Sequence, residues 1–345
     1  MNASREPHDP LSTSAAPPLA APRVTLERQA DGSLRLRSSQ ELQPYGRCIG
    51  EHLESWAELA PQRDFLCERD TQGHWRCLGY GEARRLVRRL AAGLLRECGD
   101  RDARIAAIAG NSIEHALLML AAMHIGMPFV PVSPTYALSA SGENSRLRNI
   151  LDQVKPAFVF VDAPALLDAT RAALQGLPDA RILAGEHCPA TSSPRALPLA
   201  ALCVDADDAL VQRRFETLTP DSVAKLLFTS GSTDAPKGVI TTQRMLCANQ
   251  TARRQVWPLL RDTPPVILDW LPWSHTFGGS HNFNLVLCNG GTLYIDAGRP
   301  VAGQFERSID NLREVAPTLY FNVPRGYDML VAALRADSGL RRHFF

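Results

Sequence analysis

Between Arg104 and Ala184 the sequence alternates short, wholly apolar runs with amphipathic stretches, and few folds accept that rhythm. Ile105 to Ala109 reads as a buried strand, and Phe129-Val-Pro-Val132 as the next one. Between them Asn111 can cap a helix, with Glu114 following three positions on, and Gly126 ends it before Met127-Pro128. Two more units follow: helix Ser145 to Val154 with strand Ala157 to Val161, then helix Ala165 to Leu174 with strand Arg181 to Ala184. Strands that lack polar alternation and return through helices predict an α/β fold, its mostly parallel sheet covered by helices.

The flanking segments add smaller pieces. Val24-Thr-Leu26 and Leu34-Arg-Leu36 alternate about Asp31-Gly32, a hairpin pattern. Phe65 to Arg69 and His74 to Leu78 repeat it about Thr71-Gln-Gly73, and Ile49 to Leu59 has helical spacing. A helix from about Gly81 to Cys98 buries Leu86, Leu90, Leu94 and Leu95, with Arg84, Arg85, Arg88 and Arg89 on a solvated face. Gly185 to Ala201, rich in Pro, Ala and Ser, reads as a connector. Beyond it lie strand Ala224 to Phe228, strand Val239 to Thr242 and helix Gln243 to Arg254. Strand Val266 to Leu271, helix Phe283 to Cys288, strand Thr292 to Asp296, helix Phe305 to Val315 and strand Thr318 to Phe321 complete the pattern. Residues 1–22, mostly Ser, Ala and Pro, are expected to be a disordered tail ahead of one domain over 23–345.

The chemistry concentrates in Leu226 to Thr242, where an apolar run ends in hydroxyl residues and resumes as a β-branched strand. Thr229, Ser230, Ser232 and Thr233 offer hydroxyl donors, and Gly231 lets backbone N–H groups approach an anion. Lys237, followed by Gly238, adds a compact positive charge suited to phosphate oxygens. Gly231 and Lys237 have the spacing of a Walker loop, but Pro236 stands where that motif needs glycine. Gly238 takes the place of its Ser or Thr, and a strand follows where a helix should begin. The Walker reading fails.

A second stretch, Leu271-Pro-Trp-Ser-His275-Thr-Phe-Gly-Gly279, follows an apolar strand, and ligands collect at the carboxyl ends of strands in open α/β sheets. His275 there can meet a carboxylate or a phosphate, and Trp270, Trp273 and Phe277 can line a slot for a flat acyl group. His275 and His281 have no carboxylate or cysteine beside them to complete a metal set. Gly278-Gly-Ser280-His-Asn282 lacks the final glycine of a serine-hydrolase elbow.

Thr229 to Gly238 resembles the phosphate-binding signature of the adenylate-forming superfamily, T-S-G-S-T-G-x-P-K-G, with Asp234 in place of one glycine. The Pro272-x-x-His275-x-x-Gly278 element is similar to the one that follows in that family, whose histidine sits near the acyl carboxylate. Tyr320-Phe-Asn-Val-Pro324 resembles the turn bordering its acyl pocket. Pro44-Tyr-Gly-Arg-Cys-Ile-Gly50, Gly110-Asn-Ser-Ile-Glu-His115 and Val132-Ser-Pro-Thr-Tyr136 bring the resemblance closest to feruloyl-CoA synthetases.

The resemblance implies the large N-terminal domain of such an enzyme, layered sheets covered by helices. It implies ATP, Mg2+ with Thr229 as a ligand, and coenzyme A as cosubstrate, acting on ferulate or a related phenylpropenoic acid. Lys237 and His275 take the catalytic positions, and Thr229 to Thr233 with Lys237 and Gly238 bind the nucleotide. The family's later elements, an aromatic-Gly-x-Thr-Glu stretch, a ribose-binding aspartate and a lysine on a small C-terminal domain, are not found in Phe277 to Phe345. The fold is therefore expected to be incomplete at its C-terminal end, and the chain to make no acyl-CoA alone. An adenylation module loading a carrier protein would carry the same motifs. A non-catalytic nucleotide-binding protein would suit Asp234. Both alternatives stay open, as does a homodimer.

Charge and cysteine usage bound the partners. Lys plus Arg number 37 against 36 acidic residues, so no basic excess argues for nucleic acid. No apolar run reaches membrane-spanning length and the N-terminus lacks the apolar core of a signal peptide, so a cytoplasmic protein is expected. The eight cysteines are scattered without C-x-x-C pairs, which predicts reduced, packed thiols.

Overall fold

The computed structural model describes residues 19–99, 102–138, 145–188, 196–205, 208–229 and 236–344. The strands are β1 (Val24–Arg28), β2 (Leu34–Ser38), β3 (Asp64–Arg69), β4 (Trp75–Gly79), β5 (Ile105–Ile108), β6 (Phe129–Val132), β7 (Phe158–Val161) and β8 (Arg181–Ala184). They continue as β9 (Ala196–Pro198), β10 (Val223–Thr229), β11 (Lys237–Thr242), β12 (Val266–Asp269) and β13 (Thr292–Ile295).

The expected strand–helix units build one seven-stranded sheet in the order β11-β10-β6-β5-β7-β8-β9. Every pairing in it is parallel except β10 with β11, the pair that the hydroxyl-rich loop joins. A second sheet of four strands, β12-β13-β3-β4, is parallel where the later strands meet β3 and antiparallel within the β3–β4 hairpin. The β1–β2 hairpin stands apart with all of its residues exposed.

Alternation along β5 explains the layering. Ile105 and Ala107 join a core shared with β3, β12 and β13, while Ala106 and Ile108 face helices Ser145–Val154 and Pro164–Ala173. Both faces are covered, so the strand carries no polar residue. Helix Ile113–His124 is buried along its whole length within the shared core, packed against helix Tyr80–Cys98. That burial accounts for its apolar sequence, which lacks a hydrophilic face.

Local details depart from the sequence reading. Ser112, not Asn111, caps helix Ile113–His124, its hydroxyl accepting from His115 N at 3.1 Å. Residues 318–321 form no strand; Thr318 N and Leu319 N both turn to the carbonyl of Val266. The expected connector contains β9, and helix Asp208–Glu216 was not foreseen. The tail expected over 1–22 lies outside the described residues up to position 18, and Ala20 N donates to Val256 O on the domain.

Cys67 and Cys77 occupy facing positions of the β3–β4 hairpin and are joined as a disulfide, against the expectation of reduced thiols. Facing residues of an antiparallel pair bring their side chains together, a proximity that spacing in sequence does not display. Cys48, Cys98, Cys188, Cys247 and Cys288 are buried thiols outside that disulfide, as expected.

Candidate active site

Lys237 opens β11 directly opposite Thr229, the last residue of β10. Both are exposed, as is Gly238, and the Lys237 ammonium has no ion pair or hydrogen bond among the described residues. Ser230, Gly231, Ser232 and Thr233, with Asp234, lie outside the described residues. What is visible is a pair of strand ends presenting one hydroxyl and one free cation.

The stretch after β12 is braced from behind. Asn111 donates its amide to Leu271 O at 2.9 Å and accepts from Trp273 N at 3.1 Å, which explains why its side chain is not spent on a helix cap. Asp269 accepts from Leu271 N at 3.1 Å, and its burial pushes the carboxyl up to about 7. Trp273 is fully buried, edge-on to His115 and Phe283. It is a core residue rather than a wall of an acyl slot. Trp270 faces the opposite side, donating to Asn322 at 3.1 Å.

Residues 277–282 form one π-turn, which carries Gly278 and Gly279 against the preceding chain. A Cβ at Gly278 would lie 2.2 Å from Leu271 O, and one at Gly279 would lie 2.2 Å from Trp273 O. His275 is exposed just ahead of this turn, its carbonyl accepting from Gly279 N at 2.9 Å. Gly279 O in turn receives the Nζ of Lys225 at 2.6 Å. Lys225 is a fully buried lysine in β10, and burial lowers it to about 7. One hydrogen bond thus ties the strand of the hydroxyl loop to the His275 stretch.

A cavity of about 310 Å3 opens between these parts. Leu227 and Thr229 reach it from β10, and Met245, Asn249 and Arg253 from helix Gln243–Val256. Thr276, Ser280 and His281 close it from the π-turn. His281 is held at about 4 by burial, with the nearby Arg253 charge adding to the effect. Its ring stands edge-on to Phe277 at 5.1 Å and Phe321 at 4.9 Å. The structure therefore brings Thr229 into the cavity wall, while His275, next in sequence to the lining Thr276, and Lys237, at the strand end opposite Thr229, are not among its lining residues. Sequence reasoning missed Arg253, which falls within the helix expected over Gln243 to Arg254, and Lys225, whose signal was a lone cation inside an apolar strand.

The profile of the AMP-binding enzyme family matches residues 53–344. The chain belongs to that family. Its fold agrees: ATP-bound MatB from Rhodopseudomonas palustris superposes with a TM-score of 0.63 at 21% identity, covering 85% of this chain and 53% of that one. In sequence this AMP-binding enzyme is 28% identical over 287 residues to a carboxylic acid reductase of Mycobacterium marinum, covering 76% of this chain and 23% of that protein. It is also 28% identical over 144 residues to long-chain-fatty-acid–CoA ligase ACSBG2 of Gallus gallus, covering 40% of this chain and 18% of the ligase. The chain thus spans about a quarter or less of the length of these curated relatives. Among the described residues no helix is long and apolar enough to cross a membrane.

The described residues of this AMP-binding enzyme do not compose a magnesium site. Thr229 offers one neutral oxygen, and no carboxylate lines the cavity beside it. The one cluster with metal-ligand proximity among the described residues, Asp64 with Cys67 and Cys77, is consumed by the disulfide.

Proposed function

We propose that the chain forms the nucleotide-binding part of an enzyme that activates a carboxylic acid with ATP, joining the carboxylate oxygen to the α-phosphorus and releasing pyrophosphate. Coenzyme A then takes the acyl group as a thioester, a turnover the chain is not expected to complete alone. The acid we favour is ferulate or a related phenylpropenoic acid, and residues 23–345 serve as the larger, nucleotide-binding domain. Family membership supports the nucleotide half of this reading. The observation that carries the rest is the cavity whose wall joins Thr229 of β10 to the π-turn following His275.

In this reading the loop after Thr229 and the Lys237 ammonium hold the phosphates, offsetting charge on the departing pyrophosphate. His275 orients the carboxylate, and the Lys225–Gly279 bond keeps acid and phosphate sides in register. Mg2+ would travel with ATP and supply charge neutralisation. Calorimetric titration of the chain with MgATP, followed by ferulate-dependent pyrophosphate exchange, tests the proposal. An absence of ATP binding overturns it.

The likeness to a carboxylic acid reductase favours a second reading, in which the activated acyl group passes to a later reductive step instead of coenzyme A. A CoA-dependence assay on the acyl-AMP product separates the two.

A further inference from the structure

Among its described lining residues, the cavity beside Thr229 carries one full charge and no opposite charge. Arg253 lines it from the last turns of helix Gln243–Val256, half-buried, with Nη1 enclosed and without an acceptor. Its guanidinium makes no ion pair and no hydrogen bond among the described residues. Among the described residues no aspartate or glutamate lines the cavity, and the other ionisable group there, His281, is kept neutral at working pH.

Arginines elsewhere in the molecule behave differently. Arg69 meets Glu314 at 2.8 Å, Arg88 meets Glu54 at 3.1 Å and Arg181 meets Glu97 at 2.6 Å. Partial burial of an unpaired guanidinium costs free energy that pairing would recover, so a cavity that retains one favours an incoming acceptor. Asn249, one helical turn earlier, lines the same cavity and adds an amide donor. His281, whose ring lies edge-on to Phe277 and Phe321, lines the cavity and gives it one aromatic flank. A ring with an oxygen substituent answers both features: the flank takes the ring and the donors take the oxygen.

We infer that Arg253 is a specificity-determining residue that hydrogen-bonds a phenolic oxygen on the ring of the bound acid, so that the substrate class is hydroxylated arylpropenoic acids rather than unsubstituted ones. The inference rests on the proposal that this cavity receives the acid. It assigns to Arg253 and Asn249 a selective role separate from the activation chemistry of Lys237 and His275.

The test is a pair of ligands that differ by one hydroxyl. Calorimetry on the chain with 4-hydroxycinnamate and with cinnamate should show the hydroxylated acid binding about tenfold to a hundredfold tighter, the worth of one charge-assisted hydrogen bond. Arg253→Met should bring the ratio close to one, leaving cinnamate and MgATP affinities unchanged, and Arg253→Lys should restore part of the preference. Because Arg253 holds no partner among the described residues, the variant's melting temperature should not drop; Arg253→Gln provides a second uncharged variant should the methionine form fold poorly. A ratio that survives in both uncharged variants overturns the inference alone. A loss of MgATP affinity in place of the ratio also overturns it, placing Arg253 on the phosphates. Failure of both acids to bind while MgATP binds overturns the acid-pocket reading itself.

Discussion

Two hollows flank the stretch from Trp270 to His281, and they treat charge in opposite ways. The larger, a cleft of about 430 Å3, is bordered by Glu68, Arg69 and Asp296. Glu68 accepts from Ile113 N at 2.9 Å and pairs with Arg76; Arg69 forks onto Asn311 and Glu314; Asp296 takes Gly298 N, Ser308 Oγ and Asn311 Nδ2. Only Arg299, exposed, lacks a partner among the described residues lining this cleft. The smaller cavity has Arg253 unanswered. A still larger groove of about 710 Å3 runs along the arginines of helix Tyr80–Cys98, and there too Arg84, Arg85, Arg88 and Arg89 all meet carboxylates. Size would select the wrong hollow. Satisfied charges hold layers together, whereas an unsatisfied one is available to a ligand.

The contrast can be broken by experiment. Asp296→Ala should have the largest effect, because it strands the buried donors of Ser308 and Asn311. A loss of about 2–4 kcal/mol in denaturant unfolding is expected, with MgATP affinity retained. A loss below about 1 kcal/mol would mean that the cleft is not structural in this sense.

Lys225 sharpens the same point through pH. Burial lowers it to about 7 from 10.5, so between those values the unfolded chain binds a proton that the folded chain has released, and stability rises with pH. Asp269, raised to about 7 from 3.8, does the reverse: the folded chain keeps a proton that the unfolded chain loses, so stability falls from about pH 4 to 7. Together they place a stability minimum near neutrality. Lys225→Met should abolish the alkaline rise, which is up to about 1.4 kcal/mol per pH unit, and leave the acid-side fall. Urea melts at pH 5, 7 and 9 would show it, and a persistent alkaline rise would refute it.

Lys237→Ala should weaken MgATP binding about tenfold, or about 1.4 kcal/mol, without altering unfolding, since the ammonium makes no bond among the described residues. Unchanged affinity removes Lys237 from the phosphate site. Smallest of all, Arg299→Gln should change stability by less than about 0.5 kcal/mol, as expected for an exposed side chain without a partner.

Sheet architecture was legible because buried parallel strands leave a plain mark: Ile105 to Ile108 and Phe158 to Val161 contain no polar residue. Helix Asp208–Glu216 was not, since Val211 and Phe215 are its only buried positions among the described residues. β9 is three residues long and ends in proline, inside a stretch that reads as linker. Residues 318–321 alternate like a strand, yet two of their amides share one acceptor on β12. At the candidate site, the motif positions Thr229, Lys237 and His275 could be named from sequence because their proposed chemistry is local. Arg253, Asn111 and Lys225 were not, because each matters through a partner, or the lack of one, far away in sequence.

Gly278 and Gly279 have a consequence for how this protein can change over evolutionary time. Each is closed to any side chain by a carbonyl 2.2 Å from where a Cβ would stand. Replacement there would displace the backbone of the whole π-turn. Met245, Asn249 and Arg253 instead sit on a helix whose cavity face can accept other side chains without moving a strand. Drift in substrate preference is therefore open along one wall and forbidden along the other. If the proposed acid site is this cavity, descendants of this chain should diversify the acid they take by rewriting the helix while inheriting the glycine pair unchanged.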